Sequence, residues 1–302
     1  MIQSFSQLME SLRSQPRRRI VIAGAEEEEL LLAHQAAQHG LADFILIGDQ
    51  QQLEQLQRQH RLEQGGLTFI NETNHNAAAR LAVQMVVDRE ADLPMKGLMH
   101  TGAFLKAVLD KTNGLSGHSR LSQITIFEGY SGGLQFLTDC AINIKPSLQE
   151  KKTIIENSVY LAQRLGYDLP LVALLGSVET VSESMPDTLE SAILTQMNRR
   201  GQIKGCLVDG PLSLDNAICP EAAKHKDIDG PVAGKAHILV AAELQVANTF
   251  SKALNYYAGL ETASVIIGTR SPIIMTSRTD KLQNKLNSIA ASCCLFEARN
   301  ND

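Results

Sequence analysis

Residues 264–289 read SVIIGTRSPIIMTSRTDKLQNKLNSI. Two short runs rich in β-branched residues, 265–267 and 273–275, are separated by Gly268 and Pro272, and Thr276, Ser277, Arg278, Thr279 and Asp280 then lead into a helical pattern. The spacing predicts a strand, a polar loop and a helix. Asp280 is a suitable N-cap with Gln283 three places later, and Leu282, Leu286, Ile289 and Cys293 recur along one helical face. The helix therefore turns the positive end of its dipole toward a loop carrying a hydroxyl, a guanidinium and a carboxylate. Such a loop can hold phosphate and take part in chemistry. The same residues also make an ordinary capped connection with a solvated arginine.

Toward the N-terminus, strands and helices alternate. After Pro16 and three arginines, IVIAGA at 20–25 reads as a buried parallel strand opening into a helix whose first turn holds Glu26, Glu27, Glu28 and Glu29. These carboxylates suit the dipole but repel phosphate, so no anion site is expected there. DFILIGD at 43–49 completes a βαβ unit, and the glutamine-rich stretch 50–64 predicts an exposed helix. In KGLMHTGAFLKAVLD, residues 96–110, an apolar run ends at His100, Thr101 can cap a helix, and Gly102 lets a ligand approach the backbone near Lys96. That is either a second anion-binding helix start or a plain strand-to-helix turn. Runs at 124–127 and 134–137, around Gly129, Gly132 and Gly133, predict a hairpin, with Asp139 and Asn143 following in a polar loop suited to Asx turns.

Helical periodicity restarts at Ser147, where a second α/β domain is expected to begin, while the closing helix is expected to return to the first. The predicted domains are 1–146 with 271–302, and 147–270. In the second, DGPLSLDNAI at 209–218 gives a strand a polar end, and Asn248 and Lys252 lie one turn apart on a helical face. GPVAGKA at 230–236 is one residue short of a P-loop, lacks the hydroxyl residue after lysine, and precedes a strand instead of following one. No G-x-G-x-x-G occurs, so a dinucleotide cofactor lacks its usual fingerprint.

Composition narrows the function further. At 302 residues, with 44% hydrophobic and 20% charged, the chain can bury two cores. A net charge of −5 with no basic tract argues against a nucleic-acid partner. Five cysteines show no C-x-x-C pair or zinc-type histidine spacing, which predicts buried free thiols in a reducing compartment. The N-terminus, MIQSFSQLMESLRSQPRRR, places its charges after its apolar residues, the reverse of a secretory signal, and no run approaches a membrane span. A cytoplasmic protein is expected.

Taken in order, LADFILIGD, MKGLMHTGAFLKAVLD, FLTDCAINIKP, DGPLSLDNAI, GPVAGKAHILV and IIMTSRTDKLQNKLNSIA give a sequence that resembles the phosphate acetyltransferase and phosphate butyryltransferase family, the butyryl branch more closely. The resemblance implies an α/β fold of two α/β/α domains of the isocitrate and isopropylmalate dehydrogenase-like type with an interdomain cleft, and a homodimer. It implies reversible transfer of a short-chain, butyryl-like acyl group between CoA and inorganic phosphate, with acyl phosphate as product. Metal and permanently bound cofactor are not expected; CoA and acyl-CoA are substrates. Ser277 and Arg278 fall on the family's Ser-Arg pair, the serine near the reacting bond and the arginine near phosphate or thiolate. Lys96, His100, Thr101 and Gly102 match its turn and are expected to contact phosphate, with Asp139 and Asn143; Asn248 and Lys252 are the CoA candidates. Acetyl-type members carry an acid where this chain has Asn284. Asp280, as in butyryl-type members, is the nearest substitute, as base or as helix cap. The rival expectations are a non-catalytic CoA or acyl-phosphate binding protein and a metal-dependent dehydrogenase of the same fold.

Overall fold

The computed structural model describes residues 1–63, 65–117 and 119–296. In chain order its first elements are α1 (Phe5–Arg13), β1 (Arg18–Ala25), α2 (Glu27–Gln38), β2 (Ala42–Gly48), α3 (Gln50–Gln59), β3 (Leu67–Asn71), α4 (His75–Val87), β4 (Leu93–Lys96) and α5 (Thr101–Val108). A hairpin of β5 (Ser122–Glu128) and β6 (Leu134–Thr138) follows, then α6 (Leu148–Arg164), β7 (Leu171–Leu175), α7 (Pro186–Arg199), β8 (Leu207–Leu212), α8 (Leu214–Ile218) and α9 (Pro220–His225). The chain closes with β9 (Ile238–Val240), α10 (Leu244–Tyr256), β10 (Thr262–Ile267) and α11 (Leu282–Leu295).

These elements form two compact units. The terminal unit comprises Ser6–His118 and Ala263–Asp302, and the central unit comprises Met1–Phe5 and Ser119–Thr262. The expected divisions at 146 and 271 therefore move to 118 and 262. β6 pairs in parallel with β9, Phe136 opposite Ile238, which draws the whole hairpin into the central unit. That pairing joins strands about a hundred residues apart and leaves no mark in local periodicity.

In the terminal unit the sheet order is β3-β2-β1-β4, with every recorded pairing parallel. Ile20, Val21, Ile22 and Ala23 of β1 are fully buried, as a run with no polar alternation requires of a central strand. α4 packs on β1 and on α5, and α11 packs on α2. Along α11, every residue from 284 to 293 is buried, where the sequence predicted one apolar face. Ala290, Ala291, Ser288 and Ser292 are small enough to let neighbours close in on the helix. Ser288 satisfies its hydroxyl by donating to the Asn284 carbonyl (2.7 Å) and accepting from the Ser264 N–H (2.8 Å).

Within the central unit the strand order is β5-β6-β9-β7-β8, and the chain passes to the terminal unit at β10. Tyr167 is the polar pin of the central unit. Its hydroxyl accepts from the N–H of buried Leu134 (2.9 Å), and its ring stands edge-on to Phe136 at 5.4 Å and to His237 at 5.0 Å. Replacing Tyr167 with Phe keeps the ring and strands that N–H. Urea unfolding should show a loss of about 1–3 kcal/mol. An unchanged unfolding midpoint would mean that the hydroxyl contributes nothing net.

Candidate active site

In the terminal unit the chain builds β1, β2 and β3 toward one side and then places β4 on the other flank of β1. A crevice opens outside the carboxyl ends of the strands at such a reversal. Here the ends are drawn together at the backbone: the Gly97 N–H donates to the Ala23 carbonyl (2.9 Å) and the Leu98 N–H to the Gly24 carbonyl (2.8 Å). A Cβ on Gly97 would lie 2.3 Å from the Gly24 oxygen, so only glycine fits.

Residues 273–275 do not form the full strand that the sequence predicts, but Ile274 makes a parallel bridge to Met95. The Lys96 N–H donates to the Ile274 carbonyl and the Ile274 N–H to the Pro94 carbonyl, both at 3.0 Å. Because this bridge runs parallel to β4, Ser277 and Arg278 emerge beyond the same strand end as Lys96. Two sequence candidates 182 positions apart thus lie beyond the same strand end.

Their charges feel each other. Lys96 is buried, and its ammonium is pushed below the ordinary lysine range first by burial, then by the Arg278 guanidinium; Lys285 adds to this, and Glu29 opposes it. The Lys96 Nζ donates to the Gly97 carbonyl at 3.0 Å. Lys285, also buried, is paired with Glu28. Glu29 is pushed up by burial and by Glu28, while N–H donors from the backbone of Glu26 and Glu29 itself and the charge of Lys285 pull it down. Arg278 is exposed. Three cations and two carboxylates therefore interact beyond the end of β4. The sequence reading missed Glu28, Glu29 and Lys285, because four glutamates in one helical turn looked repulsive to an anion. The available signal was a lysine on the buried stretch of α11, which requires a counter-charge.

Two caps differ from expectation. The N-cap of α5 is His100, not Thr101, and it makes no side-chain cap bond; Thr101 and Gly102 are exposed at the first turn, and nothing lies within 4 Å of a Cβ built on Gly102. The first backbone N–H groups of α5, as at any helix start, have no partner within the helix. At α11 the cap position falls on Lys281. Asp280 instead closes a tight turn: its Oδ2 accepts from the Ser277 N–H (2.8 Å) and its own N–H donates to the Ser277 carbonyl (3.1 Å). Ser277 Oγ lies 3.1 Å from Thr279 Oγ1.

The remaining candidates belong to the central unit. Asp139 and Asn143 are buried and commit their side chains to the turn after β6. Asp139 Oδ1 accepts from the N–H groups of Ala141 and Ile142, both at 3.0 Å, and Oδ2 accepts from the Asn143 N–H (3.2 Å) and its amide. Asn143 also donates to the Leu121 carbonyl (2.7 Å) and accepts from Arg120 Nε. These bonds are the Asx-turn chemistry that the polar loop after β6 predicts. Asn248 donates to the Cys140 carbonyl (3.0 Å) in that same turn, and Lys252 sits one turn further along α10. Burial raises the thiols of Cys140 to about 12 and Cys206 to about 11, so neither is a thiolate nucleophile at neutral pH. Among the described residues no three His, Cys, Asp or Glu side chains are grouped to hold a metal ion, and no helix is long and apolar enough to cross a membrane.

The Lys96 geometry has a signed consequence. A lysine whose folded pKa lies below its ordinary 10.5 costs stability while it is charged in both states, and that cost vanishes once pH exceeds the unfolded value. The Lys96→Met protein should melt above the parent at pH ~7, with the gap closing as pH rises toward 10.5. The Gly97 carbonyl keeps a partner in this variant, because it also accepts from the Met99 N–H at 2.9 Å. A lower melting temperature for the variant at neutral pH would contradict this account.

Residues 68–293 match the family model described as phosphate acetyl/butaryl transferase. The phosphate butyryltransferase of Clostridium acetobutylicum is 39% identical over 292 residues, covering 96% of this chain and 97% of its own. The probable phosphate butyryltransferase of Bacillus subtilis is 42% identical over 283 residues, covering 92% and 93%. Among solved structures, a branched-chain phosphotransacylase from Enterococcus faecalis superposes with a TM-score of 0.83 at 29% identity, covering 93% of this chain and all of that one. The chain belongs to the phosphate acetyl/butaryl transferase family.

Proposed function

We propose that this protein transfers a short-chain acyl group reversibly between CoA and inorganic phosphate, with butyryl-like or branched chains favoured over acetyl. The family membership supports the reaction, and the names of the similar proteins support the chain length. The observation that carries the reading is the meeting of Lys96 and Arg278 beside the open first turn of α5.

A phosphate oxygen attacks the thioester carbonyl carbon, forming a C–O bond and an oxyanion. Collapse of that intermediate breaks the C–S bond and releases CoA thiolate, which takes up a proton. Negative charge is present on phosphate, builds on the oxyanion, and ends on sulfur. Lys96 and the N–H groups at His100, Thr101 and Gly102 hold the phosphate, and Arg278 neutralises the oxyanion and the leaving thiolate, with Ser277 donating a hydrogen bond. Asp280 acts by holding the Ser277 backbone, and so the Ser-Arg turn, in place. Asn248 and Lys252 contact CoA, with Asp139 and Asn143 shaping the turn on which Asn248 rests. The isocitrate and isopropylmalate dehydrogenase-like domain type, a homodimer and a cytoplasmic setting belong to the same reading.

Purified protein given inorganic phosphate and acyl-CoAs from acetyl to hexanoyl should release thiol and acyl phosphate together, with a maximum near butyryl. Thiol release without acyl phosphate, or CoA binding without turnover, would replace this reading with hydrolysis or with a non-catalytic binding protein. Arg278→Ala should lower kcat/KM by about 10²–10³, on the order of 3 kcal/mol. Asp280→Asn keeps an acceptor for the Ser277 N–H and should retain most activity, whereas Asp280→Ala should not. Equal losses in the two would assign the carboxylate a proton-transfer role instead.

A further inference from the structure

Helix α7 of the central unit turns an apolar stripe outward. Pro186, Leu189, Ile193, Gln196 and Arg200 are all exposed and follow one another at spacings of three and four, with half-buried Met197 beside them. That spacing is the seam of a two-helix contact. Leu189 is 38% and Ile193 47% exposed, and among the described helices α7 alone carries two exposed large apolar side chains one turn apart. The other face is already used: Thr188, Ser191, Leu194 and Thr195 are buried, and the helix packs on β8. Val181, 53% exposed just ahead of α7, extends the apolar surface.

The stripe complements itself. Two copies laid antiparallel about a twofold axis through Ile193 set that side chain against its own counterpart and bring Leu189 of each copy level with Met197 of the other. Charge selects this direction. Glu183 and Asp187 lie at the start of α7, and Arg199 and Arg200 at its end. Antiparallel copies therefore bring an acidic end to a basic one, whereas parallel copies would set like charges together. The helix dipoles also oppose each other in this arrangement, which favours it. We propose that this face of α7 is the docking surface for a second copy of the chain, with Ile193 on the twofold axis. The proposal rests on the homodimer of the functional reading and gives that dimer its surface. The stripe is the apolar centre of the contact, and the polar surface around it completes the roughly 800 Å² that each partner buries in a standard interface.

Light scattering of the full chain on a sizing column tests this together with cross-linking. The parent should have twice the mass of the 32.9 kDa chain. Ile193→Arg, which sets two guanidiniums against each other on the axis, should weaken association by about tenfold or more while its melting curve shows a folded protein. Under a mild oxidant Ile193→Cys should give a covalent dimer that reductant reverses. The parent, with its own five cysteines, and Tyr257→Cys, placed at a 96% exposed position, should not. A monomeric parent would overturn both this surface and the homodimer. A dimeric parent whose mass Ile193→Arg leaves unchanged, or cross-linking of Ile193→Cys no faster than that of Tyr257→Cys, would overturn this surface and leave the dimer standing. Release of thiol and acyl phosphate, followed separately, reports on acyl transfer whichever result is found.

Discussion

The close approach of Gly97 to Gly24 is the constraint on which the terminal unit's chemistry depends. The reversal of strand order between β1 and β4 places two strand ends side by side, and hydrogen bonds from Gly97 and Leu98 to Ala23 and Gly24 fix their separation. With no side chain in that gap, α2 and α5 begin from neighbouring points. The bridge from Ile274 to Met95 then adds the Ser277–Arg278 segment to the same end.

Electrostatics at this site are arranged at a cost to stability. Burying Lys96 beside Arg278 is unfavourable without an anion, and the depressed ammonium reports that cost. Glu28 relieves it in part by pairing with Lys285. Asp280 contributes through geometry: its reciprocal hydrogen bonds with Ser277 hold a turn that would otherwise be free to open.

Much of the alternation was legible in the sequence. IVIAGA read as a strand buried on both faces, Gly102 marked access to the backbone, and the hairpin around Gly132 and Gly133 was set by its turn residues. The pairing of Ser277 with Arg278 ahead of a helix followed from the polar loop between two periodic segments. Their local chemistry required nothing distant.

Only the tertiary structure decided which of these segments meet. Lys96 and Arg278 are far apart in the chain and share a crevice because a parallel bridge, not a sequence pattern, joins their strands. The division of the chain at 118 and 262 was set by β6 pairing with β9, and the role of Asp139 and Asn143 by which backbone N–H groups lay within reach. Periodicity records which face of an element is apolar. It does not record what that face or strand end will touch, because that depends on loop closure and pairing over a hundred residues or more.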